Sequence, residues 1–444
     1  MKVNKTAIAL GVLLAAKGAW AQSSGTGSVE LYGAFDVGVG HSQHALSDDG
    51  SYTMGMQTAA TKAGALSDKS TTGMFNGGIG GSFFGLKGTE DLGDGLKAVF
   101  KLETAFNSFD GVISNGLGSV ASNPTVAGRT QTINGDSSFA GQLFTREATV
   151  GLGSANLGTL TLGRNTTLGG EALFAFDPMG GSYIFSPFGY SGSYSGGGFT
   201  EDARFDNSLK YLIKMSNGIN AGALYKFGGQ SGSTDAQSAY QLTLGYAAGP
   251  FAIQGAYSSV KDAISATNSS TGVYGAVSIT AADTEAYILS ARYQGSNWKV
   301  SGGYERITFN NPSNPTLDLG ITSTLGYPVS SVNVAAYKNE KQLNVYYAGA
   351  NYDFTPALTG KVAFYDIRQN DYTTGGCLGT TATPASTCSG SNKFYSLMGV
   401  YKLSARTQLY AGWLYNQLNG GFTSGITNGN TSNNFVGTGI RHAF

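Results

Sequence analysis

The sequence contains few of the residues on which enzyme chemistry usually depends, with three histidines and two cysteines in 444 residues. His41 and His44 lie in a polar segment, and His442 lies in an alternating segment at the C-terminus. Because hydrolytic enzymes need a positioned base, most often histidine, this distribution disfavours a catalytic function. No cofactor is expected, and no metal site either, since neither histidine nor further cysteine lies near the cysteine pair.

Charge and long apolar runs are also scarce. Charged residues make up 12% of the chain, about half the usual fraction of a soluble domain, whereas glycine (67), tyrosine (25) and phenylalanine (24) are abundant. The clearest apolar run, residues 7–16, is shorter than the roughly 18 residues that a membrane-spanning helix needs. If the chain enters a membrane, it must therefore do so as β-strands, whose individual hydropathy signal is weak.

Residues 1–21 have the pattern of a secretory signal peptide. Lys2 and Lys5 precede the apolar run, and Ala19-Trp20-Ala21 supplies small residues at a cleavage site. A single-pass anchor is the alternative, but Lys17 interrupts the run. We therefore predict a mature domain of residues 22–444. Three of the 27 basic residues lie in 1–21, which leaves 24 against 27 acidic residues, and this balance argues against nucleic acid as a partner.

One hairpin shows the pattern that recurs along the chain. Two strands flank the tight-turn sequence Gly93-Asp94-Gly95, and apolar residues at positions 96, 98, 100 and 102 alternate with Lys97, Lys101 and Glu103. This is the period of a half-buried strand. Similar segments begin at 240, 287 and 395, where tyrosines bracket aliphatic residues on one face. A lipid-facing band has this composition, with aromatic residues at both interfaces.

These segments predict an all-β fold, a sixteen-stranded antiparallel transmembrane β-barrel. Short turns alternate with long Ser/Thr/Asn/Gly-rich loops, which is the layout of periplasmic turns and extracellular loops in outer-membrane barrels. The predicted long loops are 41–81, 109–141, 166–203, 262–283, 310–339 and 370–391. The predicted strands are approximately 28–40, 82–90, 96–108, 142–153, 158–165, 204–215, 218–228, 237–247, 251–261, 284–294, 297–309, 340–353, 357–369, 392–404, 406–417 and 433–444.

A set of short sequences is spread over the mature chain. The two most specific are Phe84-Gly85-Leu86-Lys87-Gly88-Thr89-Glu90-Asp91-Leu92-Gly93 and the ending Gly439-Ile440-Arg441-His442-Ala443-Phe444. Less specific ones are Tyr32-Gly33 with Asp36, Arg146 before Val150-Gly151-Leu152, Gly158-Thr159-Leu160-Thr161-Leu162-Gly163-Arg164 and Arg204-Phe205-Asp206-Asn207-Ser208. Together they resemble the general porins of Gram-negative outer membranes, and within them the β-proteobacterial branch.

The resemblance implies a homotrimer in the cell outer membrane, in which each barrel is a water-filled pore for passive diffusion of inorganic ions and small hydrophilic solutes. Its other partners would be outer-membrane lipid and lipopolysaccharide, and the barrel-assembly machinery would read Phe444 as a signal. The third extracellular loop, 166–203, would fold inward and narrow the lumen. Arg164 alternates onto the outward face and would lie at the subunit contact; the alternative is an arginine at the barrel rim that extends to water.

The same resemblance implies a pore constriction, where a loop acid faces basic residues of the wall. The predicted members are Asp177 in the loop and Lys87, Lys101, Glu103, Arg146 and Arg204 on the wall. Alternation supports Arg204, which shares a face with Ser208 and Lys210. Arg146 shares the parity of Val150 and would face lipid by pattern alone, so only the resemblance places it in the lumen.

The predicted constriction contains more cations than anions, which predicts a weak anion preference, because ions respond to the local field of a narrow passage more than to net charge. Phe83 stands where many relatives have arginine, so the basic wall of the predicted constriction has fewer cations than is usual in the family.

Two other functions stay open from the sequence. A channel specific for a sugar or another solute is suggested by Tyr183, Tyr190 and Tyr194 in the third loop. A secreted β-rich adhesin is the second, and it would be soluble and show no gel shift between heated and unheated samples. The glycine-rich segment 77–81 lacks the Lys-Ser/Thr and the helix of a phosphate-binding loop, so it is interpreted as a flexible loop.

Cys377 and Cys388 lie close together in the predicted seventh extracellular loop of an exported chain, which predicts a disulfide. Closing so short a loop stabilises a fold by about 3 kcal/mol in the chain-entropy model, so we expect the Cys→Ser protein still to fold. Thiol labelling of the unfolded, unreduced protein checks the bond. No labelling is expected, and free thiols would contradict the pairing.

Overall fold

The structure is a computed structural model. It describes residues 27–44, 68–111, 113, 143–191, 200–229, 232–267, 278–310, 323–324, 327–328, 340–372, 388–423 and 430–444. The predicted signal peptide, most of the predicted loop 109–141 and Cys377 lie outside these residues.

Strands account for most of the described chain. Within it, no helix combines the length and apolar character needed to cross a bilayer. The strands are β1 (Ser28–Gln43), β2 (Thr71–Asn76), β3 (Phe83–Gly93), β4 (Leu96–Ala105), β5 (Glu147–Ser154), β6 (Gly158–Thr166), β7 (Arg204–Lys214), β8 (Ile219–Lys226), β9 (Ala239–Ala248), β10 (Phe251–Thr267), β11 (Ser278–Gln294), β12 (Trp298–Asn310), β13 (Ser323–Thr324), β14 (Tyr327–Pro328), β15 (Lys341–Asp353), β16 (Leu358–Gln369), β17 (Gly390–Lys402), β18 (Thr407–Gly420) and β19 (Ser432–Ala443). The helices are α1 (Leu168–Phe176) and α2 (Pro187–Ser191), with a 3-10 turn at Gly421–Thr423.

The main sheet closes on itself. Its first strand, β1, pairs antiparallel with the last, β19, from Ala34 opposite Ala443 to Gln43 opposite Asn434. On its other edge β1 pairs with both β2 and β3, which together occupy one strand position interrupted at residues 77–82. The result is a closed antiparallel barrel of sixteen strand positions, which confirms the predicted fold. Closure leaves no unpaired sheet edge, as the bilayer interior requires.

Strand alternation separates an apolar outer face from a polar lumen. On β9, Tyr240, Leu244 and Tyr246 are 45%, 64% and 43% exposed, whereas the intervening Gln241 and Thr243 are buried inside. Aromatic residues therefore bracket aliphatic ones on the outer face, as the sequence predicted.

In two places the structure has strand residues where the sequence predicted loops. β2 lies within the predicted loop 41–81, and its six residues are too few for a clear alternation signal. β10 and β11 continue to Thr267 and from Ser278, inside the predicted loop 262–283. Both differences lengthen the barrel wall at the long-loop end.

The third loop enters the barrel, as predicted. Thr167 caps α1, because its hydroxyl oxygen accepts the Gly170 N–H at 3.0 Å. The Gln241 side chain of β9 accepts the Leu168 N–H at 2.7 Å, and Leu168 packs with Leu224 inside the barrel. These contacts hold α1 against the inner face of the β8–β10 wall.

Beyond α1 the loop crosses to the opposite wall. Ser396 of β17 donates to the Phe185 carbonyl oxygen at 2.7 Å, and the Phe188 ring lies 4.8 Å from that of Tyr347 in a T-shaped contact. Met179, Ile184, Phe185 and Phe188 are buried in one cluster with wall residues of β2 and β15–β19. The barrel core on this side is therefore made by the loop.

The glycine-rich segment 77–81 is not a free loop, so its interpretation as flexible is wrong. The Asp36 carboxylate on β1 accepts the backbone N–H groups of Gly78, Ile79 and Gly80 at 3.1, 2.8 and 3.1 Å. It also accepts the Tyr410 hydroxyl at 2.7 Å. A buried carboxylate with this many donors fixes the segment inside the lumen.

The third loop is hydrogen-bonded to this same segment. Tyr183 donates its N–H to the Gly77 carbonyl oxygen at 3.0 Å, and Ser182 Oγ donates to that of Gly78 at 2.7 Å. Gly77 has φ 85°, a conformation that favours glycine. Asp36, segment 77–82 and the third loop thus form one connected structure.

Asp36→Ala tests this connection. Because it leaves three backbone donors and a buried hydroxyl without their acceptor, we expect it to destabilise the protein by about 2–4 kcal/mol. We also expect it to increase closing events in single-channel records as the third loop loosens. Heat-modifiable gel migration and bilayer recordings measure the two effects.

Glu30→Ala is the matched control on the same strand. Glu30 is 61% exposed and contacts Lys87 at 3.2 Å, a kind of pair that contributes little. If Asp36→Ala behaved like Glu30→Ala, Asp36 would not hold the loop.

Candidate functional site

A cluster of charged side chains lies on the lumen wall of β3–β5. Glu103 is at its centre, with its carboxylate accepting the Tyr32 hydroxyl at 2.7 Å and the Arg146 Nε–H. Lys101 Nζ lies 3.4 Å from Glu103 and 2.8 Å from Glu147. The structure therefore brings together three of the predicted constriction residues, Lys101, Glu103 and Arg146.

Arg146 lies in the lumen, as the resemblance implied and the alternation did not. Its guanidinium carbon is 4.5 Å from the centroid of the Phe83 ring, and one terminal nitrogen is 3.4 Å from the Tyr183 hydroxyl. Since β5 begins at Glu147, the strand period does not extend to Arg146. Phe83, which replaces an expected arginine, supplies a cation–π contact instead.

Arg204 joins this cluster through the backbone. It is 6% exposed, and its Nε–H donates to the Arg146 carbonyl oxygen at 3.0 Å. Arg204 does not follow the predicted alternation with Ser208 and Lys210, because the β6–β7 ladder shifts register between Ser208 and Phe205 and Asn207 has φ 51°. Beyond that irregularity, Phe205 takes the lumen position and packs against the third loop.

Asp177 does not face the arginines, contrary to expectation. Its carboxylate is 2% exposed and accepts the Tyr365 hydroxyl at 2.5 Å, the Gly181 N–H at 2.6 Å and the Met179 N–H at 3.3 Å. Burial raises the pKa of Asp177, against the effect of these hydrogen bonds. Its contacts fold the loop tip onto β16.

Glu171, which sequence reasoning missed, is the more exposed acid of the loop. Its side chain is 37% exposed and lies 2.8 Å from Lys210 Nζ of β7. It occupies the first turn of α1, where a negative charge is favourable. The signal for this helix in the sequence is Thr167 followed by the Ala/Leu/Phe-rich run to Phe176.

The returning end of the loop is held by two buried carboxyl groups. Glu305 of β12 accepts the Thr200 hydroxyl at 2.7 Å and the Glu201 N–H at 3.2 Å. Burial raises the pKa of Glu201 to about 7, although Ser258 and Gln241 donate to its carboxylate. A Glu201 that is protonated about half of the time at pH 7 reduces the repulsion between the two acids.

Lys87 lies on the same lumen wall, directly opposite Lys101 in the β3–β4 ladder. Its Nζ is 3.2 Å from Glu30 and 4.7 Å from the centroid of the Tyr32 ring. Tyr183 is 8% exposed and contacts Arg146, so it does not form part of an open aromatic line for sugars. Tyr194 lies outside the described residues.

Arg164 is held within its own barrel. It is 6% exposed, donates to the Thr145 carbonyl oxygen at 2.8 Å and pairs with Asp206 at 2.5 Å. This burial does not match an arginine extending to water at the rim. The predicted subunit contact stays a prediction.

Two further predictions concern Phe444 and the cysteine pair. Phe444 continues the ladder beyond β19, where its N–H donates to the Gly33 carbonyl oxygen at 3.0 Å, and its ring is 47% exposed on the outer face. Cys388 is disulfide-bonded. Because Cys377 lies outside the described residues, the pairing of the two stays a prediction, as does the role of Phe444 in assembly.

In this arrangement an inward loop narrows a barrel whose wall carries alternating fixed charges. Among the described residues, no group of three or more His, Cys, Asp or Glu side chains is placed to hold a metal ion. A narrowed lumen with fixed charges and a polar inner face can conduct hydrated ions and small solutes, and can discriminate between them by charge.

Known proteins share this sequence and architecture. A family model described as Gram-negative porin matches residues 6–421. An outer membrane porin protein of Bordetella pertussis is 28% identical over 461 residues, with all of both chains covered. Outer membrane porin protein 32 of Delftia acidovorans is 30% identical over 247 residues, which cover 55% of this chain and 56% of that one.

Solved structures show the same fold. An anion-selective porin from Comamonas acidovorans has a TM-score of 0.62 at 21% identity, covering 94% of this chain and all of that one. An outer membrane protein of Vibrio cholerae in its trimer form has a TM-score of 0.56 at 15% identity, covering 94% and 99%. The family match, the closed barrel and the inward loop agree, and the chain belongs to the Gram-negative porin family as an outer-membrane porin similar to those of β-proteobacteria.

Proposed function

We propose that this porin is a non-specific passive-diffusion channel with a weak preference for anions, and that it has no catalytic role. Its narrow zone lies between the third loop and the β3–β5 wall. The observation that carries the proposal is the position of Arg146, which contacts Tyr183 of the loop from one side and Glu103 of the wall from the other. Ions that pass the loop must pass this cluster.

The balance of charges in the cluster supports a weak preference. Lys101 and Arg146 are offset by Glu103 and Glu147, whereas Arg204 adds a further positive charge beside them. Fixed charges in a narrow, partly low-dielectric passage act on ions strongly when they are uncompensated and weakly when they are paired. The likeness to the anion-selective porin of Comamonas acidovorans agrees with this sign.

Two substitutions should shift the selectivity in opposite directions. Glu103→Gln keeps a hydrogen-bond acceptor and removes a negative charge, so we expect the reversal potential in a KCl gradient to move toward anion selectivity. Arg204→Ala removes a positive charge and should move it toward cations. Both shifts should shrink as salt rises, since the screening length is about 10 Å at 0.1 M.

Arg368→Ala is the control for these variants. Arg368 is a 58% exposed arginine paired with Asp366, and its guanidinium lies over Tyr346 on the outer face, so its loss should leave the reversal potential unchanged. If Glu103→Gln and Arg204→Ala both gave the wild-type value, these residues would not line the constriction.

We propose further that the protein is a homotrimer with Arg164 near the subunit contact. Porins of this fold include a trimer form, and Arg164 orders the Thr145 backbone and Asp206 around itself. Phe444 is the proposed assembly signal, and outer-membrane lipid with lipopolysaccharide is the proposed surrounding.

Arg164→Ala tests the contact. We expect trimers to dissociate at a lower temperature in unheated-to-heated gel series, with the conductance of each barrel unchanged, because the residue does not line the passage. Asp206→Asn, which removes only the ion pair within the barrel, is the matched comparison. If both variants lowered the temperature of trimer dissociation equally, Arg164 would act within its own subunit. The same conclusion would follow if Arg164→Ala destabilised the monomer without changing the temperature of trimer dissociation.

A further inference from the structure

Three lumen cations lie on the side of the barrel opposite the charged cluster. They are Lys299 on β12, Lys361 on β16 and Arg292 on β11. Each alternates with residues of the outer face, such as Trp298 at 38% and Val362 at 49% exposure, so each points inward. In the sixteen-strand order, β15, which lies between β12 and β16, is diametrically opposite β5.

The strand register groups these cations. Lys299 is directly opposite Asn351, and Asn351 is directly opposite Lys361, so the two lysines stand in one row with a single residue between them. Since neighbouring strands lie about 4.8 Å apart, the two lysine backbones are about 10 Å apart. Arg292 is opposite Ser301, one inward-facing step along β12 from Lys299. Long, unbranched lysine side chains can converge across this distance.

The tip of the third loop lies directly above this row. A Cβ on Gly349 would come within 2.5 Å of Pro178, so the loop rests on the bare backbone of β15. Gly349 is paired with Ser301 and Ala363, the row next to that of the lysines. The guanidinium carbon of Arg292 lies 5.6 Å from the centroid of the Phe176 ring. The cations therefore lie on the periplasmic side of the loop tip.

These cations differ from those of the β3–β7 wall in lacking acidic partners. Lys101 and Lys210 each lie 2.8 Å from a carboxylate. Among the described residues, no carboxylate oxygen lies within 4.0 Å of the charged nitrogens of Lys299, Lys361 or Arg292.

Two acids are nearby in the fold, and hydrogen bonds already occupy both. The Asp177 carboxylate, in the loop above, is buried and accepts the Tyr365 hydroxyl and loop N–H groups. The Asp353 carboxylate, two residues beyond Asn351 on β15, accepts the Thr359 hydroxyl at 2.6 Å.

We propose that Lys299, Lys361 and Arg292 form a binding site for small multivalent oxyanions of the inorganic phosphate class, beneath the third loop. Three cations on adjacent rows provide several N–H donors to one compact anion. The attraction of an anion to each of the three cations is proportional to the anion's charge, so a divalent anion gains about twice as much as a univalent one. The site rests on the proposed channel function and deepens it, because it adds a second source of anion preference on the wall opposite Arg146.

Bilayer recordings with inorganic phosphate test the site. In KCl at pH 7 and constant ionic strength, we expect phosphate to reduce chloride current through the wild-type channel in a saturable way, and nitrate to give no such reduction. The double variant Lys299→Gln/Lys361→Gln should raise the half-blocking phosphate concentration by about tenfold. Lys299→Arg/Lys361→Arg keeps the charges and should retain the block. Lys261→Gln, a lysine paired with Asp283 at the extracellular end and 52% exposed, is the matched control and should behave as wild type.

The outcomes separate this site from the general function. An anion-preferring channel without phosphate block, an unchanged half-blocking concentration in the double Gln variant, or an equal effect of Lys261→Gln would overturn the phosphate site alone. Equal block by nitrate would overturn the preference for multivalent anions. Failure of the wild-type protein to conduct, or a cation-preferring reversal potential, would overturn the proposed function itself. Heat-modifiable migration of each variant confirms that its barrel is closed.

Discussion

The architecture of this porin depends on the buried Asp36 carboxylate at the seam where the first and last strands meet. Three backbone N–H groups of segment 77–82 and the Tyr410 hydroxyl converge on it, and the third loop is then hydrogen-bonded to that segment. A closed ladder of strands is sufficient to form a wide barrel without the loop. Together with the contacts of Gln241, Tyr365 and Ser396 to the loop, this group near the barrel seam sets the position of the loop and hence the width of the lumen.

The loop divides the lumen charges into two groups with different roles. On the β3–β5 wall, Glu103 and Glu147 offset Lys101 and Arg146, so this wall has a strong local field and little net charge. On the opposite wall, Lys299 and Lys361 lie beneath the loop tip without acids of their own. A weak preference for univalent anions and a stronger interaction with multivalent ones follow from this separation, because paired charges direct ions and uncompensated ones bind them.

Strand alternation was sufficient to predict the barrel and the lumen position of Lys101 and Glu103, because alternation is a local property that survives folding, whereas the inward loop came from the resemblance to porins. Alternation was insufficient where the period breaks. Arg146 stands just before β5, and the register shift near Asn207 separates Arg204 from the alternation of its own strand. Asp177 was misplaced for another reason: its carboxylate is held by Tyr365, 188 residues away along the chain, and such a contact has no local signal.

The third loop, held inside the barrel, sets the resistance of the channel. Replacing residues 168–191 by a short Gly/Ser linker removes α1, the loop tip and α2 and leaves every barrel strand in place, so single-channel conductance in KCl tests the claim directly. We expect a severalfold larger conductance in a protein that still shows the heat-modifiable migration of a closed barrel. A closed barrel with unchanged conductance would contradict it.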